Sequence, residues 1–152
     1  MRTSGSGNVG PLMISTIAVG TDGSETAARA VATAAEIARR YGARVMLVSA
    51  FPASEGARMD EEADEAQWSS SPAARVREML ARAQEDLTAD GIDCHVLVDE
   101  GDPADVLVRL AEDCDADLLV IGNRGMQRRV LGSVPNTVTH KAPCTVLVVK
   151  TT

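Results

Sequence analysis

Aromatic residues are almost absent from this 152-residue chain, which has one Trp, one Tyr and one Phe. Proteins that bind single-stranded nucleic acid stack the bases on several aromatic side chains, so this function is not expected. Basic residues are in the minority, since 15 Lys and Arg stand against 22 Asp and Glu and the formal net charge is -7. The chain is therefore poorly suited to bind the phosphate backbone of DNA or RNA, or an anionic membrane surface.

Cysteine is also scarce. Cys94, Cys114 and Cys144 are odd in number and have no C-x-x-C spacing, which argues against a disulfide framework and against a zinc site. We expect them to be small buried side chains of a cytoplasmic protein in a reducing compartment. The chain has no run of eighteen apolar residues, so no membrane-spanning helix is expected. The N-terminal stretch lacks the apolar segment of a secretory signal.

Short apolar runs alternate with amphipathic stretches along the rest of the chain. Apolar residues make up 45% of it, enough for the core of one domain. We expect a flexible tail over residues 1–13 and a single domain over residues 14–150. The alternation predicts an α/β fold, an open parallel sheet with helices on both faces. Its strands are predicted at Thr16–Gly20, Val45–Val48, Ile92–Val98, Leu118–Ile121 and Thr145–Val149.

The segment that follows the fourth predicted strand is the richest in signals for a ligand. Gly122 and Gly125 allow a tight turn and a close approach to a ligand, and Gly132 and Ser133 precede a helix. Free N–H groups at the start of a helix bind anions, and the arginines of the loop add local positive charge. The Ser133 hydroxyl is expected either to cap the helix or to donate to a phosphate. The structural alternative is an ordinary glycine turn and helix start.

Two roles are open for Asp22, which lies in the turn after the first strand. It could cap the first helix together with Ser24, the role that the residue chemistry favours, or it could accept hydrogen bonds from ribose hydroxyls. This turn lacks the Gly-Lys-Ser/Thr ending of a P-loop. His95 and His140 have no partners at metal-ligand spacing, so both are expected to serve packing or the surface.

Several segments of the chain resemble the universal stress protein family, and they occur in the family's order. The matching segments are residues 17–24, 101–103, 120–125, 131–135 and 142–149, and the similarity spans about residues 14–150. The resemblance implies a five-stranded sheet in the order 3-2-1-4-5, a role in the stress response, and a homodimer that pairs through the last strand, Thr145–Val149.

The nucleotide-binding branch of that family also implies a ligand, ATP or another adenine nucleotide, with or without Mg²⁺. By position, Asp22 would hold the ribose, the backbone at Ala50 would hold the adenine edge, and the glycine-rich segment would hold ribose and phosphates. No catalytic residue and no metal ligand is expected. The residues expected to bind the nucleotide are Gly20, Thr21, Asp22, Ala50, Ile121, Gly122, Asn123, Arg124, Gly125, Gly132, Ser133 and Val134.

The chain departs from the family in the length of its glycine-rich loop. In the binding branch, nine residues separate the second glycine of the G-x-x-G motif from the following Gly-Ser or Gly-Thr pair. In this chain only six residues separate Gly125 from Gly132. Either Arg128 and Arg129 replace the lost phosphate contacts, or the triphosphate is held less firmly. Two alternative functions therefore stay open, a dimeric interaction scaffold that binds no nucleotide and a slow ATP hydrolase.

Overall fold

The computed structural model describes residues 13–53, 71–123 and 131–150. Strands and helices alternate along the chain, as the sequence predicts. The predicted tail before Met13 and most of the acidic segment between the second strand and the second helix lie outside the described residues. The elements are β1 (Thr16–Gly20), α1 (Glu25–Tyr41), β2 (Arg44–Phe51), α2 (Pro72–Ala89), β3 (Cys94–Glu100), α3 (Pro103–Asp113), β4 (Leu118–Gly122), α4 (Ser133–Lys141) and β5 (Thr145–Val149).

The five strands of the described ranges form one parallel sheet in the order β3-β2-β1-β4-β5, which confirms the predicted fold. From β1 the chain passes to β2 on one side, and it later returns to β4 on the other side of β1. The strand order therefore reverses at β1, and the loops after β1 and β4 diverge there. In parallel sheets a crevice for a ligand forms at such a reversal, outside the carboxyl ends of the strands.

The sheet is covered on both faces, which explains the unbroken apolar runs of its central strands. One buried cluster, which includes Ile17, Leu47 and Leu80, lies against α1 and α2. The other, which includes Val48 and Val106, lies against α3 and α4. Since β1, β2 and β4 contribute to both clusters, their carboxyl ends are held in fixed positions at one edge of the core.

Of the four helices in the described residues, three begin with a side-chain cap, which satisfies an N–H group that the helix leaves open. Ser24 caps α1 by accepting from Ala27 N at 3.2 Å, and Ser71 caps α2 by accepting from Ala74 N at 3.1 Å. Asp102 caps α3, whose first residue is Pro103. The start of α4 is different, because its N-cap is Gly132, which has no side chain to cap the helix.

Two strands extend by two or more residues further toward their carboxyl ends than the sequence predicts. Residues 49–51 were expected to follow the second strand, but they belong to β2, and β3 continues to Glu100. Register pairs of Ala50 with Asp99 and of Phe51 with Glu100 explain both extensions. The apolar run of the third strand ends at Val98, so apolar patterning does not predict that the strand continues through Asp99 and Glu100. These acidic side chains are tolerated in the strand because the edge position of β3 leaves them partly or fully exposed.

The described residues also bear on the cysteine and membrane expectations. Cys94 is buried, and Cys114 and Cys144 are half-buried. No helix in the described ranges combines the length and the apolar character needed to cross a membrane.

Candidate functional site

A cleft of about 430 Å³ lies outside the carboxyl ends of the strands, at the reversal of strand order. The ends of β1, β2 and β4 form its floor, and the first turns of α1, α3 and α4 form its walls. It is lined by Gly20, Thr21, Asp22, Ser24, Thr26, Ala27, Val48, Ser49, Ala50, Pro103, Leu107, Ile121, Gly122, Gly132, Ser133, Val134 and Pro135.

The structure brings together residues that the sequence places far apart. Nearly all predicted ligand residues that fall in the described ranges line this cleft: Gly20, Thr21, Asp22, Ala50, Ile121, Gly122, Gly132, Ser133 and Val134. Asn123 is the exception, because it is fully buried and does not line the cleft. Arg124 and Gly125 lie outside the described residues.

Hydrogen bonds give the turn between β1 and α1 a defined shape. Thr21 N donates to Val48 O at 3.0 Å, and Gly23 N donates to the Thr21 hydroxyl at 3.3 Å. Ser24 N donates to Asp22 Oδ1 at 2.9 Å. The helix itself is capped by the Ser24 hydroxyl. The Asp22 carboxylate therefore orients the capping residue, and it lines the cleft from an exposed position.

The backbone of Ala50 faces the cleft because β1 is shorter than β2. Arg44 N donates to Ser15 O, and Val48 O accepts from Thr21 N, so alternate residues of β2 face β1. The paired register of the two strands ends at Gly20 and Val48. Ala50 is the next residue that faces this side, and it lies beyond the end of β1. Its N–H and C=O groups are thus directed into the cleft, where no strand continues beside them.

Asn123 supports the start of α4 from below. Its side-chain Oδ1 accepts from Gly132 N at 3.1 Å, and its backbone N donates to Val149 O at 3.2 Å. The residue is completely buried. Because Gly132 precedes the first residue of α4, Asn123 joins the end of β4 to the beginning of this helix. The sequence predicted Asn123 as a ligand contact, whereas the structure gives it a supporting position.

Two backbone amides at the start of α4 are open toward the cleft. Ser133 is the first helical residue and Gly132 is the N-cap, so of the two roles open to the Ser133 hydroxyl, capping of the helix is not the one observed. Asn136 N is the first amide bonded within the helix, to Gly132 O, and Pro135 has no N–H. In the described part of the chain, the amides of Ser133 and Val134 have no hydrogen-bond acceptor. Such amides, together with the helix dipole, bind anions.

The described residues give the cleft apolar walls and little ionisable surface. Val48, Leu107 and Ile121 contribute apolar side chains, and Asp22 is the only ionisable residue among the described lining residues. Among the described residues, the positive electrostatic potential of the cleft therefore comes from backbone amides and from helix N-termini. A ligand with an apolar ring and one anionic end fits this distribution.

Gly122 has a structural role in addition to its place in the cleft. A Cβ atom at this position would lie 2.5 Å from Thr26 Cγ2 and 2.8 Å from Thr26 O. The absence of a side chain thus allows the first turn of α1 to pack directly on the end of β4. Sequence reasoning missed several lining residues, among them Thr26 of α1, Ser49 of β2 and Leu107 of α3.

Comparison with known proteins gives a consistent result over almost the whole chain. Residues 13–150 match the model of the universal stress protein family. A universal stress protein of Mycobacterium tuberculosis is 39% identical over 144 residues, which cover 90% of this chain and 97% of that protein.

Solved structures agree with this match. A universal stress protein in complex with cAMP has a TM-score of 0.69 and 33% identity over 90% of this chain and 97% of that chain. The universal stress protein from Archaeoglobus fulgidus in complex with dAMP has a TM-score of 0.65 and 29% identity over 90% and 98%. The family match, the sequence identity and the shared fold together show that this chain belongs to the universal stress protein family.

Proposed function

We propose that this protein binds an adenine nucleotide in the cleft at the ends of β1, β2 and β4, and that it acts as a nucleotide-binding regulatory protein in the stress response. The convergence of the open α4 amides, the exposed backbone edge of Ala50 and the Asp22 carboxylate on one cleft carries the proposal. The similar proteins solved with cAMP and with dAMP support it.

Each part of an adenine nucleotide has a matching group in the cleft. The Ala50 N–H and C=O groups suit the ring nitrogen and the amino group at the adenine edge, because one group donates and the other accepts. The Asp22 carboxylate accepts hydrogen bonds from ribose hydroxyls. The amides of Ser133 and Val134 donate to the phosphate. Gly20, Thr21, Ile121 and Gly122 shape the floor between these groups.

The phosphate contacts alone are too weak to retain the ligand. A charge at a helix end contributes about 0.3–1 kcal/mol, whereas micromolar affinity requires roughly 8 kcal/mol. Affinity must therefore come from the base, the ribose and the phosphate together. Arg124 and Gly125 remain predicted contacts, and the loop arginines are proposed to add positive charge for longer phosphate chains.

Titration calorimetry with ATP, ADP, AMP and cAMP tests the proposal directly. We expect saturable heat with at least one of these nucleotides, and the lowest dissociation constant identifies the preferred phosphate group. Asp22→Asn should weaken binding about tenfold, because a neutral amide accepts less strongly from the ribose hydroxyls. Absence of both heat and thermal stabilisation with all four nucleotides would overturn the proposal.

We also propose that the protein is a cytoplasmic homodimer that pairs through β5. This strand forms an edge of the sheet, next to β4 alone. Its side chains from Val146 to Val149 are all half-buried, whereas the central strands are almost fully buried. A second copy would cover this apolar edge, and unpaired edge strands are prone to pair with other chains. The free thiols of Cys94 and Cys114 fit a reducing compartment.

A further inference from the structure

We propose that Met79 is a positioning residue for the ligand: its thioether packs against the backbone of Gly23 and thereby holds the turn that carries Asp22. This inference rests on the proposed nucleotide function. Met79 belongs to α2, lies outside the cleft and does not touch the proposed ligand. It acts from the opposite side of the turn.

The contact between Met79 and Gly23 is unusually direct. Gly23 has a φ of +79°, a conformation that residues with a side chain rarely adopt. A Cβ atom at this position would overlap the Met79 sulfur and would lie 3.4 Å from its Cγ. The sulfur therefore occupies the space beside the Gly23 backbone that a side chain would need. Gly23 lies between Asp22 and Ser24, so this contact reaches the center of the turn.

The turn has open space on its other side as well. A second cavity of about 230 Å³ is lined by the turn and by parts of α1 and α2, and Thr21, Gly23 and Ser24 form part of its wall. Met79 lines the same cavity. The turn thus stands between the ligand cleft and a space that is not closely packed. Its internal hydrogen bonds fix its shape, while the thioether limits its movement toward α2.

A truncation of Met79 would enlarge this cavity and remove the contact with Gly23. The turn could then move back from the cleft, and the Asp22 carboxylate would lose its alignment with the ribose. A misplacement of about 1 Å is enough to weaken an oriented interaction strongly. Met79→Leu replaces the unbranched thioether with a branched apolar side chain of similar volume and should largely preserve the contact.

The test compares AMP affinity in matched variants. Met79→Ala is expected to weaken binding roughly five- to tenfold, and Met79→Leu should stay within about twofold of the wild type. Met46→Ala is the control, since Met46 is buried in the cluster on the other face of the sheet. It should lower the melting temperature without a comparable loss of affinity. Met79→Val is a milder truncation that keeps the test valid when Met79→Ala does not fold.

A double-mutant cycle separates this inference from the proposed function. In an Asp22→Asn background, Met79→Ala should weaken binding less than twofold further, because the group that it positions is already altered. A wild type that binds no nucleotide contradicts the proposed function itself. A wild type that binds AMP, combined with unchanged affinity of Met79→Ala or an equally large loss in the Asp22→Asn background, overturns the role of Met79 alone.

Discussion

At the scale of single residues, Asn123 is the clearest case of a side chain that serves the site from outside it. We predict that Asn123→Ala leaves Gly132 N without its acceptor and lowers the free energy of unfolding by about 1–3 kcal/mol. Because the start of α4 then loses its support, AMP affinity should fall. Adenosine affinity should change little, since adenosine has no phosphate to contact this helix end. Calorimetry with both ligands measures the difference.

Asn136→Ala provides the matched control for this prediction. Asn136 is exposed on the same helix, so its substitution should leave both affinities unchanged. Equal losses for AMP and adenosine in Asn123→Ala would show general damage to the cleft and would contradict a specific support of α4.

Cys94 yields a prediction about the alkaline stability of the protein. Burial, with a smaller contribution from the Asp93 carboxylate, raises the pKa of the Cys94 thiol to about 11. The unfolded chain loses this proton near a pKa of about 8.5. The folded protein therefore binds the proton more tightly than the unfolded chain. The contribution of the Cys94 thiol to stability is complete below the pKa of the unfolded chain and is lost as the pH rises toward 11.

Urea unfolding at pH 8, 9 and 10 measures this effect. The free energy of unfolding of the wild type should decline across the series, and Cys94→Ala should decline less steeply. The comparison between the two proteins isolates the thiol from tyrosine and lysine side chains that titrate in the same range. Parallel curves for the two proteins would refute the prediction.

At the scale of elements, the proposed phosphate contact belongs to the backbone of α4 and not to a side chain. Ser133→Pro removes one of the two open amides, and proline is well tolerated at the first position of a helix. Gly132 already has an extended ψ of 170°, the conformation that proline requires of the residue before it. We predict that Ser133→Pro weakens AMP binding about tenfold while the helix remains intact.

Ser133→Ala is the control for the amide, because it removes the hydroxyl and retains the N–H. Its AMP affinity should remain within a few-fold of the wild type, and circular dichroism should show equal helix content in both variants. A larger loss for the alanine variant than for the proline variant would assign the contact to the hydroxyl instead.

The same scale shows how far hydrophobic patterning predicts this structure. The first and last strands match their predicted bounds, because continuous apolar runs end there at Gly20 and Val149. Patterning failed at the ends of β2 and β3, where Asp99 and Glu100 continue the ladder. Asp99 is accommodated by Arg109, whose guanidinium lies 2.7 Å away, and the pKa of the carboxyl is lowered by the Glu100 amide and by this arginine.

At the scale of the whole molecule, the sequence predicts where the site lies better than it predicts which side chains enter it. Parallel strands bring all their carboxyl ends to one edge, so the position of the cleft follows from the topology. The direction of an individual side chain depends on neighbours that are distant in sequence. Asn123 is adjacent to Gly122, yet it is buried beneath Gly132, and Met79 meets Gly23 across 55 intervening residues.

Dimer formation is a property of the whole molecule, and substitutions in β5 test whether the proposed dimer pairs through this strand. Val148 is half-buried at the sheet edge and packs toward α3 and α4. We predict that Val148→Lys converts a dimer into a monomer in light scattering, because a charge at the edge resists pairing with a second chain. Val148→Ala removes similar contacts with the protein's own core but adds no charge, so it should remain dimeric. Pairing through the strand backbone tolerates the loss of two methyl groups, but it does not tolerate a charge that faces its own copy across a symmetric edge. Equal dissociation of both variants would therefore exclude β5 as the dimer contact, and so would a monomeric wild type.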